Sequence, residues 1–400
     1  MYIRINRSSV SMLLVISSVL LILLPELSYY IGFTNAAFAS GMVKTYIYFV
    51  ALLFGLLVYT QKHQPLEPVI NIFIVFTLFT IISTSLGITP DISIWRQCIH
   101  LTFFGSALVT FYLGTERMGI KSCSKYLILA YAVVAIVYCF AVVLGSGGIV
   151  GNAIYFLLLF LPVTSFISSS LLRKVMYFLQ TFMVLISNKR TALIALIVYF
   201  FVHEWLSNKN ISGYKKILKG FAYIAVVLAI YFLYPIITQN FDITVFDELS
   251  SSHIMEDGGS NRFYIYERLW SVQRSSNMSH WLIGSGYNSV LLSHICTDGV
   301  GGEWVSAHND FLEVLYDYGI IGLGLYIAFF SLMIRKAYGM LKKKYCYAVP
   351  FFCSIAMTII ISLTSHLVIY LNYYSIMFVF WGICLADYRN YLSQQEGCAK

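Results

Sequence analysis

The stretch Pro68-Val-Ile-Asn-Ile-Phe-Ile-Val-Phe-Thr-Leu-Phe-Thr-Ile-Ile-Ser-Thr-Ser-Leu-Gly87 runs for twenty residues without a charged side chain. A helix rises 1.5 Å per residue, so about 20 apolar residues cross the roughly 30 Å of a bilayer's hydrocarbon core. Runs of the same kind fall near 10–33, 42–60, 92–114, 125–144, 151–172, 174–188, 190–206, 217–237, 318–334, 347–365 and 368–386. The chain therefore reads as an all-α polytopic membrane protein with about 12 transmembrane helices.

Composition excludes the soluble alternatives. Hydrophobic residues make up 59% of the chain and charged residues 11%, and the mean hydropathy is +0.77. No single soluble core of 400 residues accommodates that much apolar side chain. A net charge of +8 would suggest nucleic acid in a soluble protein, but here the cations lie in short loops between apolar runs, so no nucleic-acid partner is expected. Eight cysteines show no paired metal-type spacing and read as core thiols. The first apolar run, from Val10, follows basic residues without a small-residue cleavage site and reads as a retained helix.

The cations also orient the chain. With the N-terminus inside, nineteen of the twenty-six Lys and Arg residues fall in cytoplasmic loops, which puts both termini in the cytoplasm. Residues 1–237 then hold spans one to nine, residues 238–317 form one large periplasmic loop with short helices, and residues 318–400 hold spans ten to twelve and a cytoplasmic tail. The loop carries eleven of the eighteen acidic residues. Neither a repeat nor a low-complexity tract is visible.

The most informative stretch lies at the end of that loop: Ser306-Ala-His-Asn-Asp-Phe-Leu-Glu-Val-Leu-Tyr-Asp-Tyr-Gly-Ile-Ile-Gly-Leu323. Asn309 or Asp310 can cap a helix, with Phe311, Leu312, Leu315 and Tyr318 on one face and Asp310, Glu313 and Asp317 on another. This predicts an amphipathic helix at the membrane interface, after which Gly319 and Gly322 let the backbone turn into a span. His308 stands at the helix N-terminus, whose positive end favours the neutral imidazole that accepts a proton. The bland alternative is a histidine that only hydrogen-bonds the loop.

Two arginines add to this. Arg190, in Ser187-Asn-Lys-Arg-Thr-Ala-Leu193, stands at a span end where cations are scarce, and Arg262, in Gly258-Gly-Ser-Asn-Arg-Phe-Tyr-Ile-Tyr-Glu267, lies in the acidic loop. A guanidinium matches phosphate oxygens in a planar fork. A salt bridge to an acid such as Glu267 is the structural alternative. Arg268 and Arg274 compete with Arg262 for the phosphate role.

The order of spans, the turn Asn188-Lys-Arg-Thr-Ala192, the loop with Ser260-Asn-Arg262 and Gly284-Ser-Gly286, and Ala307-His-Asn-Asp-Phe-Leu-Glu313 running into Tyr318-Gly-Ile-Ile-Gly322 resemble the O-antigen polymerase and ligase superfamily. The resemblance covers about the last half of the chain. It implies a glycosyltransferase-C-like helical architecture, an undecaprenyl-diphosphate-linked glycan donor, a glycan acceptor, and catalysis with no metal and no other cofactor. Carried onto this sequence, it implies that Arg190 and Arg262 hold the diphosphate and that His308 lies beside the acceptor hydroxyl. Arg268, Asn309, Asp310 and Glu313 complete the expected substrate-binding set. Lys189 departs from the family, where serine is frequent at that place. The implied activity is an O-antigen or exopolysaccharide polymerase; a ligase onto lipid A core is the alternative, and a lipid-linked oligosaccharide flippase or other transporter the second. A chain-length regulator is a further candidate partner. A transporter would draw on ionisable groups in the spans, for which Glu26, Arg96, His100 and Glu204 are the candidates.

Overall fold

The computed structural model describes residues 9–10, 12–13, 16–17, 66–87, 92–144, 153–187, 189–207, 262–297, 302, 304–368 and 371–398. The expected spans at 42–60 and 217–237, most of that at 10–33, the loop before Arg262, Glu26, and the side chains of Arg96 and His100 lie outside the described residues.

Along the chain come helices α1 (Pro68–Leu86), α2 (Ile92–Met118), α3 (Ile120–Leu144) and α4 (Ala153–Leu159). A 3-10 turn (Leu161–Phe166), α5 (Ser170–Ile186) and α6 (Arg190–Ser207) follow. After the undescribed segment come α7 (Arg262–Ser275), α8 (Met278–Ile283) and α9 (Ser289–Leu292), then strands β1 (Cys296–Thr297) and β2 (Trp304–Val305). The last three helices are α10 (Asp310–Lys342), α11 (Ala348–Thr364) and α12 (Leu371–Cys398). The two strands form one antiparallel pair, Cys296 opposite Val305 and Thr297 opposite Trp304.

Among the described residues, three helices are long and apolar enough to cross a membrane: Pro68–Leu86, Arg190–Ser207 and Asp310–Lys342. Their outer faces are apolar too. Val75, Leu78, Ile82 and Leu86 on α1, and Ile320, Ile327 and Ile334 on α10, are exposed at helical spacing, the pattern of a helix with one face on protein and one on lipid. Pro68 starts α1, where its missing N–H costs nothing. Inside the helix Thr77, Thr80 and Thr84 hydroxyls donate to the carbonyls of Phe73, Thr77 and Thr80 at 2.7–2.9 Å. These hydroxyls are satisfied within the helix, without water.

The expected span at 151–172 is not one helix. Pro162 stands in the 3-10 turn that follows α4, since a proline inside an α-helix lacks its donor and clashes with the preceding turn. The chain restarts at α5 with Ser169 Oγ accepting from Leu172 N at 3.3 Å. The expected span at 318–334 is the larger part of α10, which begins at Asp310 and bends at Gly319 (φ 65°, ψ −167°).

An aromatic core holds α1, α2, α10 and α12 together. Phe73 meets Phe378 and Phe329 at 4.5 and 5.0 Å between ring centres, and Phe104 stacks on Phe378 at 5.1 Å. Trp381 Nε1 donates to Ser354 Oγ at 2.8 Å, tying α12 to α11. Gly382 lets α12 approach α2, because a Cβ there would lie 2.6 Å from the Leu108 carbonyl oxygen. Cys123, Cys353 and Cys384 are buried free thiols of this interior.

The two ends of the bundle differ. At one, Lys336 Nζ meets Glu67 at 2.8 Å, and Arg389 meets Glu116 at 3.2 Å and the Tyr112 hydroxyl at 3.0 Å. At the other, the described residues of 262–309 fold over the ends of α1 and α11 on a small core of Ile265, Leu269, Val290, Cys296, Ala307 and Tyr316. Two glycines let main chain cross main chain here. A Cβ on Gly284 (φ 74°) would enter the Asp317 carbonyl, and one on Gly319 would enter that of Leu282. Ser83 Oγ donates to the Ile283 carbonyl at 2.5 Å and Gly286 N to the Asp317 carbonyl at 2.8 Å, which locks the crossing. Gly284→Ala and Gly319→Ala should each cost about 1–3 kcal/mol from backbone strain alone. Thermal unfolding of the purified protein in detergent should show a lower midpoint for both, while Gly324→Ala, at a helical position with open space around an added Cβ, should not lower it.

Candidate functional site

The helix pair α5 and α6 turns at Ser187–Lys189. Ser187 Oγ donates to the Val184 carbonyl at 2.7 Å and accepts from Lys189 N at 3.3 Å, so the serine closes one helix and orders the approach to the next. Arg190 is the first residue of α6. Arg262 is the first residue of α7, and its Nη1 reaches Thr191 Oγ1 at 3.5 Å, seventy-one positions back in the chain. Two helix N-termini, each opening with an arginine, thus meet side chain to side chain. Unpaired N–H groups at a helix start add positive potential to that of the guanidinium.

His308 stands beside this pair. Its backbone is left-handed (φ 51°), and its carbonyl accepts from the Tyr266 hydroxyl of α7 at 3.2 Å. Asn309 caps α10, its Oδ1 accepting from Phe311 N at 2.9 Å and Leu312 N at 3.2 Å, as the sequence leads one to expect. Its Nδ2 donates to the Leu363 carbonyl at 3.1 Å. Asp310 Oδ1 accepts from Leu367 N at 2.8 Å and Val368 N at 3.1 Å. These bonds bring the turn between α11 and α12 against His308, so that the His366 ring lies 4.5 Å from it. Tyr155 of α4 completes the wall, meeting the side chains of Thr191 and Ser365.

The electrostatics follow from that packing. Burial pushes the His308 imidazole down to about 4, and the Arg262 and Lys189 cations push the same way. His366 falls to about 3, through burial first, then His308 and Arg262. The neutral form expected of His308 is what the site favours, but its cause is burial and neighbouring cations rather than the helix terminus.

The remaining expected site residues fall elsewhere. The acidic face of the first turns of α10 is turned inward, because its carboxylates are taken up by main-chain amides. Asp310, Glu313 and Asp317 are at most 2% exposed, so this stretch is not an amphipathic helix with a solvated acidic side. Glu313 Oε2 accepts from Ala307 N at 2.6 Å. Asp317 accepts from Asn288 N, Ser289 N and Ser289 Oγ at 2.7–2.9 Å. Asp310 and Glu313 therefore shape the site, and Asn309 holds its frame. Arg268 is exposed, six positions past Arg262 and so about 240° around the helix, and Arg274 lies over the Trp270 ring at 5.3 Å. Neither is brought to Thr191 or His308. Among the described residues no group of three His, Cys, Asp or Glu can hold a metal ion.

His366, Thr191, Tyr266 and Tyr155 are absent from the sequence-based set. His366 had a signal: it lies in the short connection between the expected spans at 347–365 and 368–386, on the same side as the long loop by alternation.

Residues 175–327 match the family model described as O-Antigen ligase. This segment is similar to that family's domain, which supports the resemblance to the O-antigen polymerase and ligase superfamily. The matched segment runs from α5 past the Gly319 bend and contains Arg190, Arg262 and His308; His366 lies beyond it. A search of curated proteins finds no match.

Arg190→Ala and Arg262→Ala should each abolish long-chain polysaccharide at normal protein levels, with Lys at either position restoring only part of it for lack of the planar fork. Arg268→Ala should leave the chain-length ladder on a gel unchanged. Normal ladders in both alanine variants would exclude the arginines from the site.

Proposed function

We propose that the chain is an O-antigen or exopolysaccharide polymerase of the bacterial inner membrane. It moves a growing glycan from undecaprenyl diphosphate to a lipid-linked repeat unit at the periplasmic face, with both termini cytoplasmic. The observation that carries this reading is the meeting of Arg262 with Thr191, next to Arg190, beside the half-buried His308. A diphosphate is a good leaving group that needs positive charge where its negative charge develops, and paired guanidinium groups meet that need without a metal.

The acceptor hydroxyl is a poor nucleophile at neutral pH. As its oxygen forms the new bond to the anomeric carbon, the bond from that carbon to the diphosphate breaks and the electron pair leaves on the phosphate oxygen. The hydroxyl proton passes to His308, a step worth about two to four orders of magnitude in rate. The cations that add to burial in making the His308 imidazole a weak base are the groups a diphosphate would neutralise. Bound donor therefore raises the His308 pKa from about 4, since a nearby anion favours the imidazolium.

The sign is testable. Only the neutral imidazole accepts a proton, so activity falls as pH drops through the pKa. The acid limb of kcat/KM reports the free enzyme and should lie near 4, with the limb of kcat, which reports the donor complex, at higher pH. His308→Gln should lower kcat by about two to four orders of magnitude and remove both limbs. Near-normal turnover in that variant would contradict the base role.

A ligase reading is favoured by the description of the matching family, O-Antigen ligase. Purified protein given one defined lipid-linked repeat separates the two. Lipid-linked oligomers formed from the repeat alone indicate a polymerase, and transfer only when lipid A core is added indicates a ligase.

A further inference from the structure

The reaction as drawn uses His308 and the cations and gives His366 no part. His366 lies in the turn between α11 and α12, 7% exposed, its ring plane inclined 43° to that of His308. The two segments are clamped on both sides of it. Asn309 and Asp310, the two residues after His308, bond to Leu363 before His366 and to Leu367 and Val368 after it. The spacing of the two rings is therefore set by three hydrogen bonds rather than by side-chain contact alone.

Among the described residues, the charged groups shown acting on the pair are cations. Arg262 of α7 faces both rings and Lys189, before α6, faces His308. Asp310, on the segment of His308, has its Oδ1 committed to the Leu367 and Val368 amides. Tyr266 of α7 is held on the His308 carbonyl, and Tyr155 of α4 stands by Ser365. A buried imidazole in such surroundings carries a desolvation cost that an apolar side chain of similar size would not.

We propose that His366 is a positioning residue for the transfer reaction. Its ring holds the His308 imidazole in one orientation and shields it from water, so that the same nitrogen meets the acceptor hydroxyl at each turnover. This inference rests on the reading of His308 as the base.

The test is a double-mutant cycle on the purified protein with a defined lipid-linked repeat, with kcat, donor KM and pH profile measured for each variant. His366→Ala should lower kcat about tenfold to a hundredfold through misplacement of the base, with donor KM little changed. Its acid limb should move up toward the free-imidazole value of about 6.5 as water reaches His308. His366→Phe restores a ring at that place and should recover most of the turnover, with an acid limb close to that of the unmodified protein. In a His308→Gln background His366→Ala should cost nothing more, because it acts through the residue already lost. Unmodified kcat and acid limb in His366→Ala, an equal loss in both backgrounds, or a Phe variant no better than Ala would each overturn the inference. Near-normal turnover in His308→Gln alone would remove the base reading itself, and that result is seen before the cycle is closed.

Discussion

Three carboxylates on one face of the first turns of α10 each grip main chain outside that helix. Asp310 takes the amides of Leu367 and Val368, Glu313 that of Ala307, and Asp317 those of Asn288 and Ser289. A buried carboxylate is costly unless donors surround it, and backbone N–H groups do so with fixed geometry. This row of acids draws the turn between α11 and α12, the segment before α10, and the loop around Gly284–Asn288 onto a single helix. The Gly319 bend then hands that helix to the bundle. Every side chain of the proposed site stands on this frame or within reach of it.

The frame explains how residues far apart in sequence act as one group. The α5–α6 turn brings Lys189 and Arg190, α7 brings Arg262, the approach to α10 brings His308, and the α11–α12 turn brings His366. None of these segments has a strong binding signal alone. Brought together, they place the Arg262 guanidinium by two imidazoles that burial and neighbouring cations keep neutral, the Lys189 ammonium facing His308 and Arg190 opening the adjacent helix. Such an arrangement suits an anion that arrives with its own negative charge and leaves with more.

Much of this was legible in the sequence. Uncharged runs such as 68–87 marked helices, Gly319 marked a bend, and Asn309 marked a cap, because each rests on local chemistry, whereas Gly322 stays inside the helix. The 151–172 run misled, since hydropathy counts Pro162 as one residue among many while the backbone cannot continue through it. The acidic face of 310–317 misled for the opposite reason. Spacing shows that three carboxylates share a side, but not that amides from distant segments will surround them. Arg268 and Arg262 look equivalent in composition and are separated only by helical phase. His366 could be placed on the right side by counting spans, but its contact with His308 depends on hydrogen bonds between residues more than fifty positions apart.

The central claim is that these scattered segments form one diphosphate site. The most direct measurement is photolabelling of the purified protein with a diazirine-bearing polyprenyl diphosphate, followed by mass-spectrometric mapping of the labelled peptides and competition with unlabelled undecaprenyl diphosphate. The account predicts competed labelling at 189–193, 262–266 and the peptides containing His308 and His366 together. Competed labelling confined to the Arg268–Arg274 stretch, or to peptides remote from all four, would contradict it.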